Sequence, residues 1–444
     1  MQYDLIVVGA GPAGLAAARA AGENGFSVAL LEKKPEPAVL KRACMGILDG
    51  ANEYIHHDLF IVNKRNNRIC FPAHGLSVKY DGPWRNGYAF DSYSPNGYRI
   101  QSGIAEEQKK KGEHGKVTAV LDKEILLKCM IQEAEENGVD VLPGIDVQKV
   151  TNNPEDVVVE GSGQSFRGKY LIAADGLNSR IAQMTGMNED RTYFCNMRAI
   201  TRYASGIELP EPDTCVAVYG FLDENPITMF IYPRPYGEYS ITVFTLHPKV
   251  DLKAAENHFF TKAFSAPWFK NMEITNTLSA HLNCHSPIAN AHKDRTLIAG
   301  DVGAIIEKTN PGSMICGWKA GHAVSLALQE ENLGLEVTAL SQYDDWWRED
   351  YYDCYNHDAY MKTWSLPFLL NTDEDIDYLF SLVKEPIPPC FHPYSYRKHF
   401  GKVIKQIMPT IERDRPDVAA KFRMMGKSFA ELIADVTKIS KPVF

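Results

Sequence analysis

Apolar residues open this chain in short unbroken runs, the pattern of strands buried on both faces. Leu5-Ile-Val-Val8 is one run and Val28-Ala-Leu-Leu31 is another. Between them, Gly9-Ala-Gly11-Pro-Ala-Gly14 leads into the Ala-rich stretch Leu15 to Ala21, which predicts a helix. Glu32 closes the second run. Residues 35–115 then lose any clear period, being rich in Gly, Pro, Asn and aromatics, with an exposed loop expected at Lys109 to Gly115. Asp122 is a natural N-cap for a helix over Lys123 to Asn137, closed by Gly138. Short strands are predicted at 139–142, 147–150, 157–160 and 170–173, and a β-rich block follows with strands at 215–219, 228–232 and 239–244. Thr296 to Ala299 returns to the buried-strand pattern, and a helix is expected from Met314 to Leu328. Beyond Gly334 the pattern is helical and unusually aromatic, with Tyr343, Trp346, Trp347, Tyr351, Tyr352, Tyr355, Tyr360 and Trp364.

This pattern predicts an α/β plus α+β architecture. A nucleotide-binding domain takes residues 1–185 and 275–330, with 50–115 contributing partly to the substrate side. An inserted antiparallel β-sheet domain takes 186–274, and a helical region takes 331–444. Composition narrows the class. A net charge of −9 argues against a nucleic-acid partner. No apolar stretch approaches the length of a membrane span, and no secretory leader is evident. Nine scattered cysteines without a CxxC pair point to a reducing, cytoplasmic setting and exclude a ferredoxin-type cluster. His56-His57 and His281, Cys284, His285 lack convincing zinc spacing, so no metal is expected. Residues 425–444 predict one amphipathic helix, able to touch a membrane surface but more readily docked on the protein itself.

The first 32 residues combine strand, Gly9-x-Gly11-x-x-Gly14, helix, strand and acid, a complete dinucleotide-binding unit. Gly9 makes the turn, Gly11 lets a pyrophosphate approach, and Gly14 lets the helix pack on the sheet. Pro12 suits the first helical position, and the helix N-terminus favours phosphate. Glu32 can accept from a ribose hydroxyl. Two later stretches turn this into a flavin reading: Ala174-Asp175-Gly176 after a strand, and Ala299-Gly300-Asp301, with Asn310-Pro311-Gly312 ahead of a helix. A helix N-terminus there can stabilise negative charge on a reduced flavin. Taken singly, each Asp-Gly or Gly-Asp is also an ordinary turn.

These three motifs, in this order, resemble flavoproteins built like p-hydroxybenzoate hydroxylase, over roughly residues 1–330. Within that superfamily the chain looks most like the geranylgeranyl reductase group. Lys41-Arg42-Ala43-Cys44-Met45-Gly46 stands where that group has a basic residue and Cys-Gly-Gly, and Phe230-Ile-Tyr232-Pro233 resembles its aromatic-x-Phe-Pro motif. Met45 replaces a glycine, Tyr232 stands where Phe is usual, and Val302-Gly-Ala-Ile-Ile-Glu-Lys alters the small-residue run after Gly-Asp.

The resemblance implies a Rossmann-like domain holding FAD. Gly9, Gly11, Pro12, Ala13, Gly14, Glu32 and Lys33 would take its ADP half. Arg42, Ala43 and Cys44 would lie near the pyrophosphate, ribityl chain or ring. Asp175, Gly176, Gly300 and Asp301 would border the ribityl chain, and Gly312, Ser313 and Met314 would lie under the isoalloxazine. Phe230 and Tyr232 would line the substrate pocket, unless they are plain sheet core. Cys44 and Tyr232 are the catalytic candidates, with Tyr93 a further proton donor, although Cys44 reads more readily as a buried apolar cysteine.

The expected activity is an FAD-dependent oxidoreductase acting on a carbon–carbon bond of a small, largely apolar or aromatic organic molecule. No second glycine-rich unit is present for NAD(P)H. Electrons would therefore come from transiently bound NAD(P)H or from a ferredoxin- or flavodoxin-type carrier protein. The alternatives are an aromatic-ring monooxygenase, a non-enzymatic prenyl-binding escort and an electron-transfer flavoprotein dehydrogenase.

Overall fold

A computed structural model describes residues 2–51, 54, 56–303, 309–353, 358, 361–362 and 366–443. Two large sheets organise it. The first has eight strands. Its parallel centre sets Val139–Pro143, Val28–Glu32, Gln2–Val8, Gln164–Ala173 and Thr296–Ile298 side by side. Leu5, Ile6, Val7, Leu30 and Leu31 are fully buried, each burial stabilising by roughly 1.5–3 kcal/mol. Pro12–Glu23 packs against the long helix Thr309–Asn332. The crossing is close because a Cβ on Gly317 would lie 1.9 Å from the Ala13 carbonyl oxygen, and one on Gly321 2.3 Å from that of Ala17.

The second sheet has seven strands, in the order Glu273–His285, Tyr193–Ser205, Tyr239–Thr245, Asn225–Pro233, Thr214–Leu222, Ala89–Tyr93 and Arg99–Ser102. It runs past residue 274 to His285 on one side. On the other it takes in two strands from the stretch read as irregular. Ala89–Tyr93 joins it in parallel, with Phe90 against Cys215. Its polar Asp91 hides a strand signal, and that carboxylate is buried beside Arg99, with Arg99 Nε donating at 2.8 Å. One face of the sheet buries Val216, Met229, Ile231, Ile241 and Val243 beneath the helix Leu252–Thr261. The other face looks towards the domain built on the first sheet.

Two other expectations need correction. The helix expected at Met314 begins at Thr309, taking Asn310-Pro311 into its first turn, where proline is tolerated. The tail expected as one amphipathic helix is broken into Phe429–Leu432 and Ala434–Ile439. Ser428 and Glu431 form a capping box at its start. Phe429 is fully buried, 5.3 Å ring to ring from Phe194, so the tail's apolar side docks on the second sheet. Asn283 then ties down Val443 through both its backbone groups. Among the described residues no helix is long and apolar enough to cross a membrane. Tyr343 and Trp347 are packed, buried rings. Tyr355, Tyr360, Trp364 and Ala304 to Lys308 lie outside the described residues.

Candidate flavin and substrate site

Each glycine of the first turn is used differently. Gly9 leaves its strand at φ +107°, and a Cβ there would stand 2.4 Å from the Ala174 carbonyl oxygen. A Cβ on Gly14 would stand 1.8 Å from the Gly9 carbonyl oxygen, so the helix can sit on the strand only without it. Gly11, the N-cap, meets nothing within 4 Å and makes no side-chain cap hydrogen bond. The first N–H groups of the helix thus open onto space. Pro12, Ala13 and Gly14 are buried behind them. Glu32 is buried; its Oε2 accepts from Ala10 N at 2.8 Å and its Oε1 from Lys34 N at 2.9 Å. Lys33 is exposed.

The second motif lies directly behind the first. Its aspartate is spent on the fold. Asp175 accepts from Ser179 Oγ at 2.6 Å, Arg180 N at 2.9 Å and Ile181 N at 3.2 Å, holding the start of the helix Arg180–Met184. Burial pushes its carboxyl up despite these bonds. The carboxylate therefore does not turn towards the glycine cradle, against the expectation from sequence. Gly176, at φ +87°, does face that way: a Cβ there would lie 3.6 Å from Arg42 Nη1. Arg42 is exposed, and Ala43 donates its N–H to Ser279 O, so this loop bridges the two sheets. The third motif closes the ring. Gly300, at φ +67°, approaches Ala13, where its Cβ would lie 2.7 Å from that of Ala13. Asp301 is exposed in the short turn Gly300–Val302. Gly312, Ser313 and Met314 are buried in the first turns of the long helix.

The facing side of the second sheet is read in cross-strand rows. Tyr203, Ser240 and Tyr232 form one, Thr201, Thr242 and Phe230 the next, and Ala199, Phe244 and Thr228 the third. Phe230 stacks 5.7 Å from Tyr232 and 5.3 Å from Phe244. Thr201 and Thr242 hydroxyls pair at 2.7 Å, which satisfies both within an apolar wall. Ile47 and the half-buried Met45 pack against this wall from the bridging loop. Cys44 is half-buried, its Sγ 3.3 Å from Lys123 Nζ, and its carbonyl accepts from the Tyr203 hydroxyl at 2.8 Å. Tyr93 falls on the opposite face, packed with Phe264 and Trp268, because strand side chains alternate. It is not placed to serve as a proton donor on the site side.

Sequence reasoning missed several residues here. Phe244 was visible in the alternation of its strand. Phe391 and Tyr396, from the helical C-terminal region, had no such signal. Phe391 lies 5.5 Å from Tyr232, and Phe391 and Tyr396 flank Phe90 at 5.8 and 5.7 Å. Asp49 is also new. It is buried, accepts from the Thr309 hydroxyl at the start of the long helix, and its Oδ2 lies 3.7 Å from His392 Nε2. His392 caps the helix Pro393–Asp414 through Nδ1, which accepts from Tyr394 N.

Comparison with known proteins agrees with this geometry. Two family models, each described as an FAD binding domain, match residues 4–57 and 85–304. A digeranylgeranylglycerophospholipid reductase of Methanosarcina acetivorans is 24% identical over 395 residues, covering 86% of this chain and 89% of that protein. One from Methanococcoides burtonii is 22% identical over the same length. Among solved structures, a geranylgeranyl bacteriochlorophyll reductase-like protein of Thermoplasma acidophilum superposes with a TM-score of 0.66 at 18% identity, covering 91% of this chain and 98% of that one. A p-nitrophenol 4-monooxygenase of Pseudomonas putida shares the fold at a TM-score of 0.55 and 15% identity, covering 97% of this chain and 98% of that one. The chain carries FAD-binding domains and is an FAD-dependent oxidoreductase. Its sequence is similar to reductases named for geranylgeranyl lipids.

Proposed function

We propose that this flavoprotein reduces a carbon–carbon double bond in a prenyl-type chain. The observation that carries this is the aromatic wall of Phe230, Tyr232 and Phe244 on the sheet face turned towards the Cys44–Met45 loop. Relatives named as reductases of a prenyl lipid support it.

The residues fit FAD. Gly11 faces open space at an uncapped helix N-terminus, which suits a pyrophosphate. Gly9, Gly11, Pro12, Ala13 and Gly14 would hold it, with Glu32 on the adenosine ribose and Lys33 at the rim. Arg42, Ala43, Gly176, Gly300 and Asp301 would follow the ribityl chain. Gly312, Ser313 and Met314, buried in the opening turns of the long helix, would lie under the ring. Asp175 would act by fixing the Gly176 turn. When bound, FAD supplies hydride or electron transfer.

The chain's own residues do the rest. The aromatic wall binds the apolar chain and excludes water. Lys123, beside Cys44, holds positive charge next to that thiol. A proton must also reach the reduced carbon. Cys44 and Tyr232 are the candidates for delivering it. Electrons would arrive from NAD(P)H or a carrier protein.

The test is anaerobic. The bound flavin is reduced chemically and mixed with geranylgeraniol and other prenyl compounds. Reoxidation should coincide with a product two mass units heavier. No reoxidation by any unsaturated compound, or insertion of an oxygen atom into an aromatic substrate once O2 is admitted to the reduced protein, would overturn the proposal.

A further inference from the structure

Beside the aromatic wall, an open recess of about 480 Å³ is lined by Trp84, Arg85, Arg234, Tyr236 and Tyr239, among others. Arg234 follows Phe230 and Tyr232 at the next same-face position of their strand. Its backbone is still extended there, at φ −113° and ψ 161°. Tyr203, in the row of Tyr232, lies under its guanidinium at 3.6 Å from ring centroid to Cζ. One line of the sheet thus reads aromatic, aromatic, cation, and the cation opens onto the recess.

Arg234 is only 6% exposed. Of a guanidinium's five N–H donors, the described structure engages one, on Nη1, which donates to Glu238 Oε2 at 3.0 Å. Arg85 differs: its Nε donates to Asp213 Oδ1 at 3.0 Å and its Nη2 to Pro212 O at 2.9 Å, so it serves as a fixed wall. Arg234 is thus ion-paired through one nitrogen only, its other donors are not sealed off from solvent, and their fork matches an oxyanion.

We propose that Arg234 binds the phosphate-class oxyanion at the head of an amphiphilic substrate, whose apolar chain lies along Tyr232, Phe230 and Phe244. This rests on the prenyl-reductase reading above. A nucleotide phosphate offers the same oxyanion chemistry, and the test separates the two sources.

The flavin-loaded protein and its Arg234→Gln and Arg234→Lys variants are titrated with geranylgeranyl phosphate, geranylgeraniol and NADPH, followed by tryptophan fluorescence. Reoxidation of reduced flavin by the two prenyl compounds is measured in parallel. A parent-like flavin spectrum reports that each variant is folded. Arg234→Gln should weaken geranylgeranyl phosphate at least tenfold and leave geranylgeraniol and NADPH within twofold. Arg234→Lys should recover part of the loss. Three results would overturn the proposal: unchanged phosphate binding, equal loss for alcohol and phosphate, or loss confined to NADPH. Selective loss of phosphate binding without reoxidation by either prenyl compound would uphold the anion site and sink the reductase reading alone.

Discussion

Gly11→Ala separates what the first turn does for the fold from what it does for a ligand. Gly11 sits at φ −82° and ψ 177°, backbone open to any residue. A Cβ there meets no atom within 4 Å. Stability should hold within about 0.5 kcal/mol, as for substitutions that disturb no packing. The new methyl instead fills the space through which a pyrophosphate would reach the first N–H groups of the helix. Loss of one charge-assisted hydrogen bond there costs about 1.5–3 kcal/mol, a rise of about ten- to hundredfold in the Kd for FAD. The assay titrates apoprotein with FAD by quenching of flavin fluorescence, beside a thermal melt of the apoprotein. Gly14→Ala is the contrast. Its Cβ would stand 1.8 Å from the Gly9 carbonyl oxygen, an overlap that must push helix from strand and so lower Tm and FAD affinity together. Parent-like FAD affinity in Gly11→Ala, or a parent-like Tm in Gly14→Ala, would refute the reasoning.

The two faces of the second sheet should respond differently. Ile241→Ala, fully buried beneath the helix Leu252–Thr261, should cost about 2–5 kcal/mol in a denaturant melt. Phe244→Ala, on the site face, should raise the KM for an apolar substrate about tenfold or more; a change in Tm alone would count against its place in the pocket. Acid stability should report on His392. Burial pushes it from 6.5 down to about 3, so between those values the unfolded chain binds a proton that the folded chain refuses, and stability rises with pH across that window. His392→Asn keeps an N-cap acceptor and should flatten that rise when Tm is compared at acid and neutral pH. His285, pushed down to about 4 by burial and Arg191, would sustain the remainder, and an unaltered slope would show that His392 is not its source.

Legibility followed the range of the signal. The glycine turn and its flanking strands could be read because every constraint falls within 32 residues, and the same holds for the helix at Lys123, whose Asp122 cap accepts from Glu124 N and Ile125 N. The three site-face strands were recovered from composition and turn punctuation. What failed was long-range. Ala89–Tyr93 pairs in parallel with a strand more than a hundred residues on, and its inward Asp91 reads as polar until Arg99 is beside it. Asp175 was named for its motif, yet its side chain is consumed by the helix just after it. Phe391 and Tyr396 join the aromatic wall from a region with no period matching it. Arg234 carries no signal of its own in the sequence, because its meaning depends on the pleat that carries it past Tyr232.

The glycine crossing between Pro12–Glu23 and Thr309–Asn332 sets an order of events during synthesis. The first turn leaves the ribosome before the helix that presses Gly317 and Gly321 onto Ala13 and Ala17, which is about 300 residues further on. At about 5–20 residues per second, the two are separated by about 15–60 s. Throughout that interval the buried alanines of the first helix, Ala13, Ala16, Ala17 and Ala20, wait without their partner. The cradle is therefore finished only once that helix has been made, and stable loading of a dinucleotide waits for it.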